Sequence, residues 1–428
     1  MEATPHVELH PSQACMVAVR VVKRLRDAGH SAYLVGGCVR DLVLGLDPKD
    51  YDVATAARPR QVRKLFAQVI EVGIAFGVVR VRLADDLGAM HEVEVATFRA
   101  DGEYLDGRRP ESVRFTDAKQ DVLRRDFTIN GLLLDPLDTA HRGQVVDWVG
   151  GMDDLRAGQL RAIGDATQRF GEDALRLLRA PRFAARFAMG IEESTRQAIV
   201  ALAPTLRRVA AERITTEMGL MLTAKSAPLA VELLTNLGLF EALWPTLHAA
   251  PRHWQGVAER AERLLTTGPV EFALALANLA YGVEGWLEST ECENTLRLSK
   301  ADRQLALAIH AAVQWSEPLG TPRAGPWQAA EARWLRRKEA DRALRLCMAA
   351  EPNGIHTQWR AQLADANPEW LWPSEPLTGD ELQRRGHRPG PHFKGALAAA
   401  EAVRLEGGGQ AQALQAAERA LAGQTEGG

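Results

Sequence analysis

The sequence has few cysteines and lacks any apparent targeting or membrane-spanning segment. Its four cysteines are scattered over 428 residues without a CxxC pair: Cys15, Cys38, Cys292 and Cys347. This spacing argues against a disulfide framework and a zinc site, and favours a reducing, cytoplasmic environment. Because no apolar run is long enough to span a bilayer, no membrane partner is expected. The first residues also lack the basic start and apolar core of a secretory signal.

An excess of basic charge is missing as well. The formal net charge is −3, with 46% hydrophobic and 25% charged residues, a composition typical of globular proteins. This charge does not exclude RNA as a partner, since contacts with an RNA backbone need only a local basic face. The chain is too long for one hydrophobic core, so several domains are expected. Its oligomeric state cannot be read from the sequence.

Sequence periodicity divides the chain into a mixed α/β part and a helical part. Up to about residue 150 we predict a helix from Ser12 to Ala28 and a strand from Ala32 to Val35. Period-two alternation predicts two more strands, Gly77 to Ala84 and His91 to Phe98. After Asp154 the spacing is helical and strand candidates disappear. The predicted fold is therefore α+β, with an α/β head followed by an all-helical remainder.

Two acidic residues lie close together within the segment LVGGCVRDLVLGLDPKDYDVAT, from Leu34 to Thr55. Asp50 and Asp52 are separated by one residue in a stretch of strand character, so alternation places both carboxylates on one face. Two like charges so close need neutralising, and divalent cations do this while aligning a phosphoryl transfer. Mg²⁺ prefers such oxygens, completed by substrate phosphates and water.

Gly36 and Gly37 end a predicted strand and begin a predicted helix in the same segment. Without a Cβ to block the approach, their N–H groups are a candidate cradle for a triphosphate at a helix N-terminus. Arg40 follows one turn later and can add a charge-assisted phosphate contact. A lone GG pair is usually a tight turn and a lone DxD pair is usually solvated, but their combination favours a nucleotide site.

At this point the chain resembles the class II tRNA nucleotidyltransferases and bacterial poly(A) polymerases, a branch of the DNA polymerase β superfamily. Further motifs carry the resemblance, in the order that the family has them. These are TFRADGEYLDGRRPESVRF (Thr97 to Phe115), RRDFTINGLLLDP (Arg124 to Pro136), DWVGGMDDLRAGQLRAIGD (Asp147 to Asp165) and FGEDALRLLRAPRFAARF (Phe170 to Phe187).

The resemblance implies an architecture and an activity. It implies a polymerase-β-like catalytic head over residues 1–155, a helical neck with a nucleotide-recognition helix over 156–243, a helical body over 244–325 and a tRNA-binding tail over 326–428. The activity implied is template-independent addition of CMP and AMP, from CTP and ATP, to the 3′ end of tRNA. Two Mg²⁺ ions would be held by Asp50 and Asp52.

The RRDFTIN motif supplies candidate nucleotide-binding residues. Arg124 and Arg125 are expected to contact the triphosphate or the primer, with Asp126 orienting one guanidinium. Asn130 is expected to bind the sugar. Taken without its neighbouring motifs, this group would be an equally good surface salt bridge.

The motif GEDALRLLRAPR supplies candidate base-reading residues. Asp173 and Arg176 are three residues apart, which predicts one helix face, and a carboxylate beside a guanidinium can read a base edge. The resemblance implies this role for both. Arg179 and Arg182 continue the face and suit phosphates, although a solvated helix face is the simpler interpretation without the family. Pro181 is expected to kink this helix.

A third carboxylate is a further candidate. Glu94 lies on a predicted strand, at a position where the superfamily often has an acidic residue. It could act as general base for the primer 3′-hydroxyl, or it could hydrogen-bond Arg99. The sequence leaves both roles open.

The distal region resembles the tail by which relatives hold the tRNA elbow, over Leu377 to Val403. Four basic residues there are candidate phosphate contacts: Arg384, Arg385, Arg388 and Lys394. A polar helix–turn–helix connection is the alternative. The basic stretch from Trp334 to Arg345 is interpreted as a solvated helical face.

Three functions remain open: 3′-end synthesis on tRNA, poly(A) addition to other RNAs, and catalytically silent RNA binding. The acidic pair and the recognition residues speak against the third, and the tail resemblance favours tRNA. Relatives that add only CC tend to have a shortened loop before RRD, whereas DGEYLDGRRP is intact here. We therefore expect complete CCA or terminal A addition, ahead of CC-only addition.

We predict that Asp50→Ala or Asp52→Ala abolishes nucleotide incorporation, because each change removes a metal ligand that acts mainly in the transition state. The affinity for tRNA should stay nearly unchanged. Incorporation and tRNA binding should be measured on the same preparations. Retained turnover in either variant would contradict the metal-site prediction.

Overall fold

A computed structural model of the chain describes residues 6–73, 77–101, 113–137, 142–249, 253–316, 319–321, 327–364, 366, 368, 371–374 and 376–422. Backbone contacts divide the chain into two compact units. The first comprises Met1–Met221 with Glu232–Pro245, and the second Leu222–Val231 with Thr246–Gly428. The four-segment division predicted from the sequence stays a prediction. Among the described residues, none of the helices has the length and apolar character needed to cross a membrane.

The first unit is built on a twisted sheet of short strands. In chain order the strands are β1 (His6–Glu8), β2 (Ala32–Val35), β3 (Asp52–Thr55), β4 (Val69–Gly73), β5 (Val78–Ala84), β6 (Met90–Thr97), β7 (Arg99–Asp101), β8 (Val113–Phe115), β9 (Leu133–Asp135), β10 (Arg142–Val146), β11 (Gln159–Leu160) and β12 (Gly190–Ile191). Within the described residues, eight strands form one sheet in the order β1-β10-β9-β2-β3-β6-β5-β4. The pairs β7–β8 and β11–β12 lie outside it.

The register of the central strands brings three distant segments to one edge. Val35, the last residue of β2, pairs with Asp52 at the start of β3 and with Leu133 at the start of β9. Strand β6 runs parallel to β3 and sets Glu94 opposite Asp52. The turn after β2, the acidic start of β3 and the segment before β9 therefore meet at this edge.

Twelve α-helices of the described residues precede residue 249. They are α1 (Gln13–Asp27), α2 (Gly37–Val43), α3 (Pro59–Leu65), α4 (Ala118–Leu123), α5 (Gly151–Ala157), α6 (Ala166–Glu172), α7 (Arg176–Phe187), α8 (Glu193–Leu202), α9 (Ala211–Leu222), α10 (Ala227–Asn236), α11 (Leu239–Leu243) and α12 (Pro245–His248). The predicted first helix is confirmed, and Ser12 caps it by accepting a hydrogen bond from the Cys15 N–H. Helix α7 runs from Arg176 to Phe187 through Pro181.

Aromatic packing connects the sheet edge to the helices that follow. Phe127 is fully buried and contacts Phe183 of α7 edge to face, with 5.8 Å between ring centroids. Phe170 of α6 lies 6.3 Å from the same ring. Such aromatic contacts add to the stabilisation from burial. They hold α6 and α7 against the segment that carries Asp126 and Asn130.

The second unit is helical in its described residues. From residue 253 onwards its helices are α13 (His253–Thr266), α14 (Phe272–Ala280), α15 (Thr290–Thr295), α16 (Lys300–Gln314), α17 (Ala329–Leu335), α18 (Ala340–Ala350), α19 (Ile355–Ala364), α20 (Gly379–Arg384), α21 (His392–Leu405) and α22 (Gln410–Ala422). Trp327, Trp334 and Trp359 form one apolar cluster. A second cluster joins α20, α21 and α22 through Leu382, Phe393 and small residues such as Ala396.

The interpretation of Trp334 to Arg345 as one solvated helical face is wrong. The stretch spans the end of α17 and the start of α18, and Trp334 and Arg345 are both buried. The Arg345 guanidinium donates to the carbonyl oxygens of Leu264, Gly268 and Pro269 at 3.0–3.2 Å. It thus binds acceptors at and just beyond the end of α13, where the carbonyl groups lack partners within the helix.

We predict that Gly151→Ala lowers the midpoint of thermal unfolding. A Cβ at Gly151 would lie 2.3 Å from the Thr128 carbonyl oxygen, so α5 or the 3-10 helix Thr128–Asn130 must move. Overpacking of this kind costs about 1–3 kcal/mol. Gly171→Ala in α6 is the matched control, because its Cβ would meet no atom within 4 Å. The control should leave the midpoint unchanged or raised, and equal midpoints for the two variants would contradict the close contact.

Candidate active site

A cavity of about 500 Å³ opens beside strands β2, β3, β5 and β6, and its lining residues all belong to the first unit. Cavities of this size accommodate small ligands such as nucleotides. Seven arginines and four acidic residues line it: Arg40, Arg99, Arg124, Arg125, Arg176, Arg179 and Arg213, with Asp52, Glu94, Asp126 and Asp173. The excess of cationic side chains favours an anionic ligand.

The turn after β2 forms one wall of the cavity. Gly36 has φ +75°, a left-handed conformation that glycine adopts without strain, and α2 begins at Gly37. A Cβ at Gly36 would lie 3.3 Å from Nη1 of Arg125, so this guanidinium lies against the turn. Both glycines line the cavity, as expected of a cradle for phosphates.

Arg40 lines the cavity but is tightly held by the protein. Its guanidinium donates to Asp41 Oδ1 at 2.7 and 2.9 Å and to Asn130 Oδ1 at 2.6 Å. It also lies over the Phe187 ring, 4.4 Å from the centroid. Burial lowers the pKa of Arg40, and the adjacent Asp41 opposes that shift. Arg40 therefore supplies a fixed positive charge with few free donors.

Asp52 and Glu94 form an acidic pair on neighbouring parallel strands, and both line the cavity. Removal from water raises the pKa of Asp52 to about 6, and the negative charges of Glu94 and Asp50 add to the rise. Asp50 precedes β3 and is exposed, while Tyr51 between them is buried. This alternation agrees with the prediction that Asp50 and Asp52 share a face.

These carboxylates fit a divalent cation that is shared with a ligand. Within the described residues, no group of three or more His, Cys, Asp or Glu side chains could hold a metal ion alone. Mg²⁺ is commonly bound by one or two carboxylates together with substrate phosphates. Burial first, and then the nearby charges of Glu94 and Asp50, raise the pKa of Asp52, and a bound cation would oppose both effects.

Asp126 does not orient Arg124 or Arg125, contrary to the expectation from the RRD motif. Its Oδ2 accepts from Arg179 Nε at 2.8 Å, and its Oδ1 accepts from the Phe127 N–H and from Asn130. Although burial opposes ionisation, Arg179 and these hydrogen bonds lower the pKa of Asp126 to about 2. Its carboxylate is thus bound by Phe127, Asn130 and Arg179.

A residue that the sequence reasoning missed, Asp121, holds Arg124 and Arg125. Its Oδ1 accepts from Arg124 at 2.8 and 3.0 Å, and its Oδ2 accepts from Arg125 Nη2 at 3.0 Å. The i,i+3 and i,i+4 spacing along α4 was a signal that could have revealed these pairs. Both arginines line the cavity.

The pairing of Asp173 with Arg176 on one helix face is wrong. The backbone of Asp173 is extended, and this residue separates the end of α6 from the start of α7. Its carboxylate binds Arg213, with Nη1 and Nη2 at 3.0 and 2.7 Å. Arg176 instead donates to Glu172 Oε2 and to the Arg124 carbonyl oxygen, each at 2.9 Å. Both Asp173 and Arg176 still line the cavity.

Arg179 and Arg182 differ in their access to the cavity. Arg179 lines it, bound to Asp126 and 3.7 Å from Glu217 Oε1. Arg182 donates to Glu217 Oε2 at 2.5 Å and is absent from the described lining. Glu217 is buried and was not found from the sequence, since only folding brings α9 to α7.

Two more lining residues had little or no sequence signal. Arg99 follows β6 and was named only as a partner for Glu94. Arg213 lies on α9, far along the chain from the motif that contains Asp173. The segment from residue 102 to 112, in which the predicted flexible loop falls, lies outside the described residues.

The predicted tail contacts belong to the second unit. All four side chains are exposed: Arg384, Arg385, Arg388 and Lys394. Arg384 and Arg385 approach the same carboxylate, Glu381, at 3.6 and 3.5 Å. Exposed ion pairs of this kind are weak, so these cations remain accessible to a ligand.

Comparison with known proteins identifies two matching families and several relatives of this chain. Residues 32–161 match the family described as the Poly A polymerase head domain, and residues 188–250 match the probable RNA and SrmB-binding site of polymerase A. The CCA-adding enzyme of Oceanobacillus iheyensis is 36% identical over 287 residues, 67% of this chain and 69% of that protein. Poly(A) polymerase I of Haemophilus influenzae is 38% identical over 255 residues, 56% of this chain and 54% of that protein.

Among solved structures, the fold is similar to that of the Bacillus stearothermophilus CCA-adding enzyme in complex with CTP. The TM-score is 0.74 at 28% identity, and the match covers 96% of this chain and 98% of that one. The likeness therefore extends over both units.

We predict that Arg179→Met weakens nucleoside triphosphate binding about tenfold, because it removes a cation that lines the cavity. Arg182→Met is the matched control, since Arg182 shares Glu217 with Arg179 but does not line the cavity. The control should change the affinity by less than twofold while lowering thermal stability. Equilibrium binding of CTP and ATP distinguishes the two, and equal losses of affinity would contradict the assignment.

Proposed function

Because this chain belongs to the family of CCA-adding enzymes and bacterial poly(A) polymerases, we propose that it adds CMP and AMP, from CTP and ATP, to the 3′ end of tRNA without a template. The main support for this proposal is the acidic pair Asp52 and Glu94. These residues lie opposite each other on parallel strands and line a cavity together with seven arginines. The comparisons with known proteins confirm the family and the α+β fold that we predicted from the sequence.

The arginines of the cavity are suited to the triphosphate. Arg124 and Arg125 are fixed by Asp121, and Arg179 is fixed by Asp126, so their directions are set before a ligand arrives. Gly36 and Gly37 line the same space, and the Gly36 N–H is held by the Leu132 carbonyl oxygen at 3.3 Å. Preorganised donors of this kind stabilise charge that shifts among the phosphates during transfer.

The acidic residues are suited to the reacting end. Nucleotidyltransferases of this family generally need divalent metal ions, and we assign two Mg²⁺ ions to Asp50 and Asp52. Such ions would neutralise phosphate charge and activate the primer hydroxyl. In this proposal Glu94, which pairs with Asp52 across the parallel strands, accepts the proton of the 3′-hydroxyl at a carboxylate oxygen. The incoming 3′-oxygen bonds to the α-phosphorus as pyrophosphate leaves.

Base selection falls to Asp173 and Arg176, as the family resemblance implies. A carboxylate and a guanidinium supply one acceptor and several fixed donors, which suit the base edges of cytosine and adenine. Arg213 and Glu172 hold them in the free protein. The tRNA elbow would meet Arg384, Arg385, Arg388 and Lys394 through its phosphates, and a substrate of this kind places the enzyme in the cytoplasm.

Poly(A) addition to other RNAs is the second candidate, favoured by the match to the Haemophilus influenzae poly(A) polymerase I. The chemistry is the same, and only the acceptor RNA differs. The head and neck motifs are shared by both activities, so the acceptor must be tested directly.

We predict that the protein, with Mg²⁺, completes CCA on tRNA transcripts ending before CCA, after C and after CC. CTP and ATP should be supplied separately and together, and the products sized on a gel. Addition of A to the CC-ended tRNA alone would mean a terminal A-adding enzyme with a separate CC-adding partner. CC addition alone, or long A tails on an unrelated RNA, would overturn the assignment.

A further inference from the structure

Asp121 is a buried carboxylate that bonds four donors and does not itself line the cavity. Only 2% of its surface is exposed. Its Oδ1 accepts from the Arg99 N–H at 3.2 Å and from Arg124, while its Oδ2 accepts from Arg125. A buried ion pair of this kind contributes little net stability, although breaking it is costly. A role for Asp121 beyond stability would therefore act through Arg124 and Arg125, the two arginines that it binds.

One branch of this arrangement reaches the glycine turn and the acidic pair. Arg125 Nη1 lies where a Cβ on Gly36 would be 3.3 Å away, and the charge of Arg125 opposes the rise in the pKa of Asp52 that burial causes. Arg125 Nε has no hydrogen-bond partner among the described residues. Oδ2 of Asp121 thus fixes a guanidinium whose Nη1 lies beside the glycine turn and whose charge acts on Asp52.

The other branch reaches the base-reading side of the cavity. Oδ1 of Asp121 holds the Arg124 guanidinium, whose Nε also donates to the Arg99 carbonyl oxygen at 3.0 Å. The carbonyl oxygen of Arg124 accepts from Arg176 Nη2 at 2.9 Å. One carboxylate therefore fixes two cationic side chains, and the backbone beside one of them anchors Arg176.

From this geometry we infer that Asp121 is a positioning residue, which aims Arg124 and Arg125 at the triphosphate and so sets nucleotide affinity independently of the base. The inference rests on the proposed function only in taking a nucleoside triphosphate as the ligand. Arg176 has a second anchor in Glu172 and the Arg169 carbonyl oxygen. Loss of the Asp121 charge should therefore change the base preference little. It should change the positions of Arg124 and Arg125, which Asp121 binds directly.

The test is equilibrium binding of CTP, ATP and inorganic tripolyphosphate to the full chain with Mg²⁺ and without RNA. Asp121→Asn keeps the side-chain shape and removes the charge. It should weaken all three ligands by a common factor of about ten and leave the CTP-to-ATP affinity ratio within twofold. Unchanged affinities, or a loss confined to one nucleotide, would overturn the inference.

Asp135→Asn is the matched control for a purely structural effect. Asp135 pairs with Arg26 at 2.7 Å, and neither residue lines the cavity. This variant should lower thermal stability while its affinities for the three ligands stay within twofold of the parent. Similar affinity losses in both variants would show that Asp121 acts only through stability, and would overturn the inference.

Coupling to Arg125 separates positioning from independent effects. If Asp121 acts through Arg125, the combined loss in Asp121→Asn with Arg125→Met should be at least threefold smaller than the product of the single losses. A loss equal to that product would overturn the inference. Should Asp121→Asn fail to fold, Arg125→Met alone must weaken tripolyphosphate about tenfold, and an unchanged affinity would have the same consequence.

Because these measurements need no RNA, they stand apart from the proposed reaction. Asp121-dependent binding without incorporation on any tRNA would remove the proposed function and leave the inference intact. Nucleotide incorporation on tRNA, with a triphosphate affinity that does not depend on Asp121, would support the proposed function and overturn the inference.

Discussion

The candidate site depends on the pairing of arginines with buried carboxylates. Desolvating a guanidinium is costly, so each cation near the cavity needs an acceptor that cannot move. Asp121 and Asp126 meet this need because backbone N–H groups of Arg99 and Phe127 hold them in turn. The donors are therefore oriented before any ligand binds, and little conformational entropy is left for the ligand to remove.

The same edge of the sheet supplies the opposite charge. Val35 pairs with both Asp52 and Leu133, and the parallel strand β6 adds Glu94. Asp52 and Glu94 thus lie on strands, whereas Asp126, Asp173 and most of the basic lining residues lie on helices and loops, where each of these two aspartates binds an arginine. A triphosphate between them would meet cations on one side, and carboxylates suited to a metal ion on the other. A cavity that offers both kinds of charge to one ligand is suited to nucleotidyl transfer.

Several parts of this arrangement could be predicted from local patterns. A short apolar run located strand β2 at Ala32–Val35, and the predicted helix from Ser12 to Ala28 corresponds to α1 with its cap. The spacing of Asp50 and Asp52 agrees with the exposed, buried, exposed pattern around Tyr51. Other interpretations failed for physical reasons. Asp173 stands in extended backbone between two helices, and the buried Arg345 satisfies carbonyl groups around the end of α13.

Short-range spacing therefore determined which residue types carry the chemistry: the glycine turn, the acidic pair and the arginine-rich motifs. Tertiary structure alone decided which partners they have. Arg213 reaches Asp173 and Arg179 reaches Asp126 across separate elements. Helix spacing encodes contacts between residues three or four apart, whereas these ion pairs exist only after packing has brought distant elements together and excluded the water that would otherwise screen them.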